Sequence, residues 1–167
     1  MIALIPGSFD PITLGHVNII ERAAKMSDKV YVAVMNNDSA KHSSVLQSKT
    51  YMFDMEIRER LVRISVAHIP NVEVITSSGM LIDLFDELCA DVIIKGIRGS
   101  ADLEYEMIHA KWNKEHNPRL ETLFLTADES LVSVSSTHVR ELLNGGKYAE
   151  LRGILADSAI EHLKEGK

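Results

Sequence analysis

Cysteine is nearly absent: Cys89 is the single one among 167 residues. An internal disulfide and a cysteine zinc cluster are therefore both excluded. Set in an apolar helical stretch, Cys89 is expected to be a small buried side chain. Long hydrophobic runs are missing as well, and nothing approaches the roughly 18 consecutive apolar residues that a membrane span needs. The first apolar run, Ile2 to Ile5, stops at Pro6, so no secretory leader is expected. A cytoplasmic protein without a membrane partner follows. Positive charge is not in surplus either: the net charge is −6 and the pI about 5.6. That balance speaks against a nucleic-acid partner and requires any basic site to be local. Two familiar phosphate loops are absent. Gly146-Lys147 continues into Tyr148 and lacks the earlier glycine of G-x-x-x-x-G-K-[ST], and no G-x-G-x-x-G occurs. His42, His68, His109, His116, His138 and His162 show no zinc-ligand spacing with one another. No repeat, low-complexity stretch or linker divides the chain.

What is present fits one folded domain: 46% hydrophobic and 25% charged residues over a length able to bury a core. The chain is organised around its first dozen residues. Ile2 to Ile5 reads as a buried strand, Pro6-Gly7 breaks it, and Ser8-Phe9-Asp10-Pro11-Ile12 leads to Thr13-Leu14-Gly15-His16. Val17, Ile19, Ile20, Ala23 and Ala24 then recur at helical spacing. A helix starting near Gly15-His16 would direct its unpaired N–H groups and its positive dipole end at the loop, a natural seat for a phosphate.

Further along, strands are expected over 29–35, 72–76, 91–95 and 121–126, and helices over 53–68, 79–89, 100–116 and 135–143. A last helix is expected from Tyr148 to about Leu163, so a helical extension begins at about residue 135. Residues 36–50 form a polar, hydroxyl-rich loop of a length that is usually functional. The charges of the 53–68 helix, Arg58 among them, read as solvated i,i+4 pairs. Asp83, Asp86 and Glu87 read as an ordinary helix surface rather than a metal site. Strands alternating with helices imply an α/β fold, a Rossmann-like, doubly wound, parallel five-stranded sheet in a single domain. In the order 3-2-1-4-5 the connections reverse between strands one and four, and ligands bind at the carboxyl ends of those two. Ser8 to His16 leaves the one strand, and Lys95-Gly96-Ile97-Arg98 leaves the other.

The string P-G-S-F-D-P-I-T-L-G-H at 6–16 resembles the [HT]-x-G-H element of the nucleotidyltransferase superfamily, in its phosphopantetheine adenylyltransferase branch. Two more motifs carry the resemblance. K-G-I-R-G-S-A-D-L-E-Y-E-M at 95–107 is similar to the branch's R-G-[LI]-R-x-x-x-D-[FL]-E-Y-E, with Lys95 in place of the usual arginine. V-S-V-S-S-T-H-V-R-E at 132–141 is similar to [ST]-x-[IV]-S-S-[ST]-x-[VL]-[RK]-E. Taken residue by residue, the resemblance implies that Ser8, Phe9, His16, Gly96, Ile97, Arg98 and Glu106 bind ATP. It implies the same for Leu131, Val132, Ser133, Val134, Ser135, Ser136 and Thr137, with Leu131 replacing an aromatic residue often seen there. Read without the resemblance, Ser135 is a helix N-cap with Arg140 and Glu141 exposed. Ser8, which stands for the usual threonine, would also bind the second substrate, with Lys41, Leu81 and Lys95. Lys41 is the best match in a loop that carries an insertion, where Ala40 occupies the strict register.

The activity implied is transfer of the adenylyl group of ATP to 4′-phosphopantetheine, giving dephospho-coenzyme A and pyrophosphate. His16 would stabilise the transition state, and Mg²⁺ would be held by phosphates and water. A homohexamer with coenzyme A as feedback ligand is implied too. The alternatives are a sibling enzyme, acting for instance on nicotinate mononucleotide or using CTP, and a nucleotide-sensing module without turnover.

Overall fold

A computed structural model describes residues 1–36 and 50–165. Its centre is a parallel sheet of five strands in the order β3-β2-β1-β4-β5. The strands are β1 (Ile2–Gly7), β2 (Lys29–Met35), β3 (Val72–Ser77), β4 (Val92–Ile97) and β5 (Thr122–Thr126). The order is the expected one, and β1 and β4 are neighbours, paired through Ala3 with Val92 and Leu4 with Ile93. Ala3, Leu4 and Ile5 are all buried, because a parallel strand at mid-sheet is covered on both faces.

Successive β1 side chains serve opposite cores, as the strand's two-residue period demands. Ala3 and Ile5 join one core with α1 (Leu14–Met26) and α2 (Met55–Val66), while Leu4 joins another with α3 (Leu81–Glu87). The buried face of α1 consists of Val17, Ile19, Ile20, Ala23 and Ala24, the residues whose spacing marked the helix. The Asp54 carboxylate caps α2 by accepting the Ile57 N–H at 2.9 Å, so the helix starts after Phe53. The chain continues through α4 (Ser100–His116) and α5 (Ser136–Asn144) to α6 (Asp157–Glu165). Among the described residues no helix is long and apolar enough to cross a membrane.

Three expectations are corrected. Cys89 is exposed, with φ at +49°. It lies just past α3, where the Cys89 N–H donates to the Asp86 carbonyl and the Ala90 N–H to the Phe85 carbonyl, a Schellman turn whose left-handed position usually holds glycine. Arg58 is only 1% exposed, so it is no solvated helix charge. The expected helix from Tyr148 is broken: a short 3₁₀ turn over Tyr148–Leu151 is followed by Gly153 at φ +78°, and α6 starts only at Asp157. The break serves packing, since Leu151, Leu155 and Ile160 are buried against Val139 and Leu142 of α5. It also brings the Ile154 carbonyl to the Leu14 N–H at 2.8 Å, satisfying a donor in the first turn of α1.

Candidate active site

The loop between β1 and α1 is built around Phe9. Its backbone is left-handed, at φ +45°, while its ring is 3% exposed and meets the His16 imidazole edge-on with centroids 5.3 Å apart. Gly7 makes this possible, because a Cβ there would stand 2.7 Å from the Phe9 ring. Thr13 is the N-cap of α1 and His16 its third helical residue, and the two close a capping box. The Thr13 N–H donates to His16 Nδ1 at 3.0 Å, with the Thr13 hydroxyl oxygen 2.9 Å from the same nitrogen. A backbone N–H can only donate, so Nδ1 holds a lone pair and the proton of the neutral ring sits on Nε2. The motif thereby fixes a tautomer as well as a helix start.

α5 is joined to this loop at its own N-terminus. The Ser136 hydroxyl donates to the Pro11 carbonyl at 2.8 Å, and Arg140 Nη1 donates to the Asp10 carbonyl at 2.8 Å. Arg140 Nη2 also donates to the Thr137 hydroxyl at 3.0 Å. Ser135 is the N-cap, accepting the His138 N–H at 3.2 Å. A Cβ on Gly15 would lie 3.6 Å from the Leu131 carbonyl and 4.0 Å from that of Val134, so the strap before α5 crosses the start of α1. On that strap Leu131 and Val134 are half-buried, and Val132 and Ser133 exposed. The first and third motifs thus form one surface from two helix N-termini.

The second motif runs from β4 into α4. Gly96 packs on α1, where a Cβ would come within 3.0 Å of Ile19 Cγ1. Ile97 ends β4 half-buried. Lys95 Nζ lies 3.2 Å from Glu106 Oε2, both side chains about four-fifths buried, so residues expected to meet different ligands are paired with each other. Arg98 Nε donates to Asp102 Oδ2 at 2.9 Å. Leu81, half-buried, opens α3 and packs on the core beneath that helix. Beside it lies an open groove of about 480 Å³ lined by Met80, Ile82, Asp83, Trp112 and His116. Lys41 lies outside the described residues.

The model of the cytidylyltransferase-like family matches residues 4–142. The chain belongs to that family. Within it, a phosphopantetheine adenylyltransferase from Prochlorococcus marinus (strain MIT 9301) is 38% identical over 162 residues, covering 97% of this chain and 96% of the relative. A structure described as a candidate nicotinate-nucleotide adenylyltransferase from Vibrio parahaemolyticus superposes with a TM-score of 0.69 at 21% identity, covering 97% of both chains. A lipopolysaccharide core biosynthesis protein from Thermoplasma volcanium GSS1 gives 0.52 at 19% identity, over 77% of this chain and 96% of that one. These two structures establish the shared fold.

Several residues of this cytidylyltransferase-like site escaped the reading of the sequence. Asp10, 1% exposed, accepts the Met52 and Phe53 N–H groups at 2.9 Å each, and its Oδ2 lies 3.9 Å from Arg140 Nη1. It lies within the first motif, where an acidic residue set between Phe9 and Pro11-Ile12 was a readable signal. Asn18 Nδ2 donates to Asp128 Oδ2 at 2.8 Å, tying α1 to the end of β5. Nothing in the local pattern marks that pair, since 110 positions separate its members.

Proposed function

We propose that this nucleotidyltransferase moves the adenylyl group of ATP onto 4′-phosphopantetheine in the cytoplasm, releasing dephospho-coenzyme A and pyrophosphate. One observation carries the reading: the bond from the Thr13 N–H to His16 Nδ1, which leaves Nε2–H as the donor of a neutral imidazole beside two joined helix N-termini. The 38% identity to a phosphopantetheine adenylyltransferase over nearly the full chain supports the choice of acceptor.

The acceptor's terminal phosphate oxygen forms a bond to the α-phosphorus of ATP, and the bond from that phosphorus to the oxygen bridging the β-phosphate breaks. The nucleophile is already anionic, so no protein base is required, and positioning with charge stabilisation lowers the barrier. His16 donates to an α-phosphate oxygen as charge builds there. Ser8 and Phe9 align the reactants. Ser135, Ser136 and Thr137, with Arg98, hold the β- and γ-phosphates, while Gly96, Ile97, Glu106 and Leu131 to Val134 take the nucleoside. Lys95 and Lys41 hold the attacking phosphate, and Leu81 borders the pantetheine arm. Mg²⁺ would be held by the phosphates of ATP and by water, and would offset their charge. Phosphate arriving at Lys95 competes with Glu106 for the ammonium.

A homohexamer is part of the proposal. Tyr105, Met107, Ile108 and Trp112 of α4 are 45%, 54%, 69% and 37% exposed, and Leu123 of β5 is 45% exposed. Apolar side chains this open along one helix call for cover. Coenzyme A, which shares chemical groups with both product and acceptor, is the proposed feedback ligand.

The test is pyrophosphate release from MgATP with 4′-phosphopantetheine, nicotinate mononucleotide or no acceptor. Release with phosphopantetheine alone is expected. Release with the mononucleotide alone would overturn the substrate, and silence with every acceptor while ATP still binds would point to a sensing module.

A further inference from the structure

Arg58 lies on the buried face of α2 with Leu61, Val62, Ser65 and Val66, a place that packing alone would fill with an apolar residue. Among the described residues its guanidinium is met by neutral oxygens. Nε donates to the Phe53 carbonyl at 3.1 Å and more weakly to that of Asp54 at 3.4 Å. Nη1 donates to the Ser8 carbonyl at 2.8 Å and lies 3.3 Å from that of Met35, and Nη2 donates to Asn36 Oδ1 at 2.6 Å. The Tyr51 ring stacks on it at 4.3 Å. A buried guanidinium is tolerated only when its donors are satisfied, and these acceptors come from the end of β1, the end of β2 and the entry to α2.

The bond to Ser8 has a stereochemical consequence. In a planar trans peptide the C=O and N–H point opposite ways, so holding the Ser8 carbonyl toward the interior turns the Phe9 N–H outward. That peptide precedes the left-handed Phe9, a backbone state that persists only where its surroundings impose it. We propose that Arg58 is a positioning residue for adenylyl transfer: acting from behind the phosphate loop, it sets the Ser8–Phe9 peptide plane and so aims the Phe9 N–H at the nucleotide phosphates. The inference rests on the function proposed above.

The test uses the full-length protein. Arg58→Lys keeps the charge but replaces the planar fork with a point donor unable to serve the same acceptors. The expected outcome is a folded variant whose kcat for pyrophosphate release falls roughly ten- to a hundredfold, while its Kd for ATP, measured without acceptor, stays within about threefold of wild type, the mark of positioning rather than uniform binding. Asp54→Ala is the control, since it uncaps the same helix without touching the bond to Ser8. Its kcat should stay near wild type even where its Tm falls. Equal losses of kcat in the two variants, or a kcat for Arg58→Lys near wild type, would overturn the proposal. Should Arg58→Lys not fold, Tyr51→Leu decides: it removes the stacked ring and should lower kcat roughly two- to fivefold, and an unchanged kcat would overturn the proposal. Failure of the functional reading looks different, because wild type itself would then be silent with phosphopantetheine. The Arg58 comparison would still be made with whichever acceptor releases pyrophosphate.

Discussion

His16 is assigned two tasks that a pair of substitutions separates. As the third residue of α1 it accepts the Thr13 N–H at 3.0 Å, and in the proposed function the imidazole, with its proton on Nε2, donates to the transferred phosphate. His16→Ala removes both. Thr13 is 2% exposed, so its N–H loses a partner where water reaches poorly, at a cost of about 1 kcal/mol. For a chain of this length that corresponds to a Tm lower by roughly 2–4 °C. His16→Glu creates the T-x-x-E form of the capping box, whose carboxylate oxygen can accept the same N–H, so its Tm should match wild type. In turnover both variants should fall. Each loses a donor to a developing oxyanion, and kcat should fall roughly a hundred- to a thousandfold, or about 2.7–4 kcal/mol. Pyrophosphate release under saturating MgATP and 4′-phosphopantetheine gives kcat, and thermal denaturation followed by circular dichroism gives Tm. A glutamate variant with turnover within tenfold of wild type would refute the assignment, because the helix cap would then account for the histidine.

Three other outcomes follow from the geometry. Gly7→Ala puts a methyl 2.7 Å from the Phe9 ring, and should cost about 1–3 kcal/mol in a denaturant melt while lowering kcat as the ring leaves His16. Cys89→Gly relieves a left-handed backbone at φ +49° and should raise stability by about 1 kcal/mol with pyrophosphate release unaltered, which paired melting and activity measurements check. Lys95→Arg supplies a two-pronged donor for the acceptor's phosphate, and should lower KM for 4′-phosphopantetheine by several-fold at constant kcat in initial-rate measurements.

Much of the fold was legible because its signals are local. The Val17-Ile19-Ile20-Ala23-Ala24 stripe spans eight residues, and a helix buries such a stripe wherever it packs. The apolar run before Pro6-Gly7 could be read as a strand covered on both faces for the same reason. Three motifs placed at the ends of β1 and β4 and across the start of α5 marked the candidate site, since in a doubly wound sheet the crevice forms where the strand order reverses. Tertiary structure alone decided where buried donors find acceptors. The oxygens around Arg58 come from positions up to 50 residues away, so its spacing from Leu61 and Val62 could set it on the buried face but not show its partners, whereas the exposed Arg63 pairs with Glu59 one turn earlier. Lys95 and Glu106, separate ligand contacts by resemblance, are likewise set 3.2 Å apart only by the turn from β4 into α4. The broken last helix follows the same rule: Gly153 permits the break, but the buried side chains and the Leu14 N–H awaiting the Ile154 carbonyl make it favourable. Periodicity is set within a few residues of the chain, whereas hydrogen-bond satisfaction in the interior is set by segments that meet only on folding.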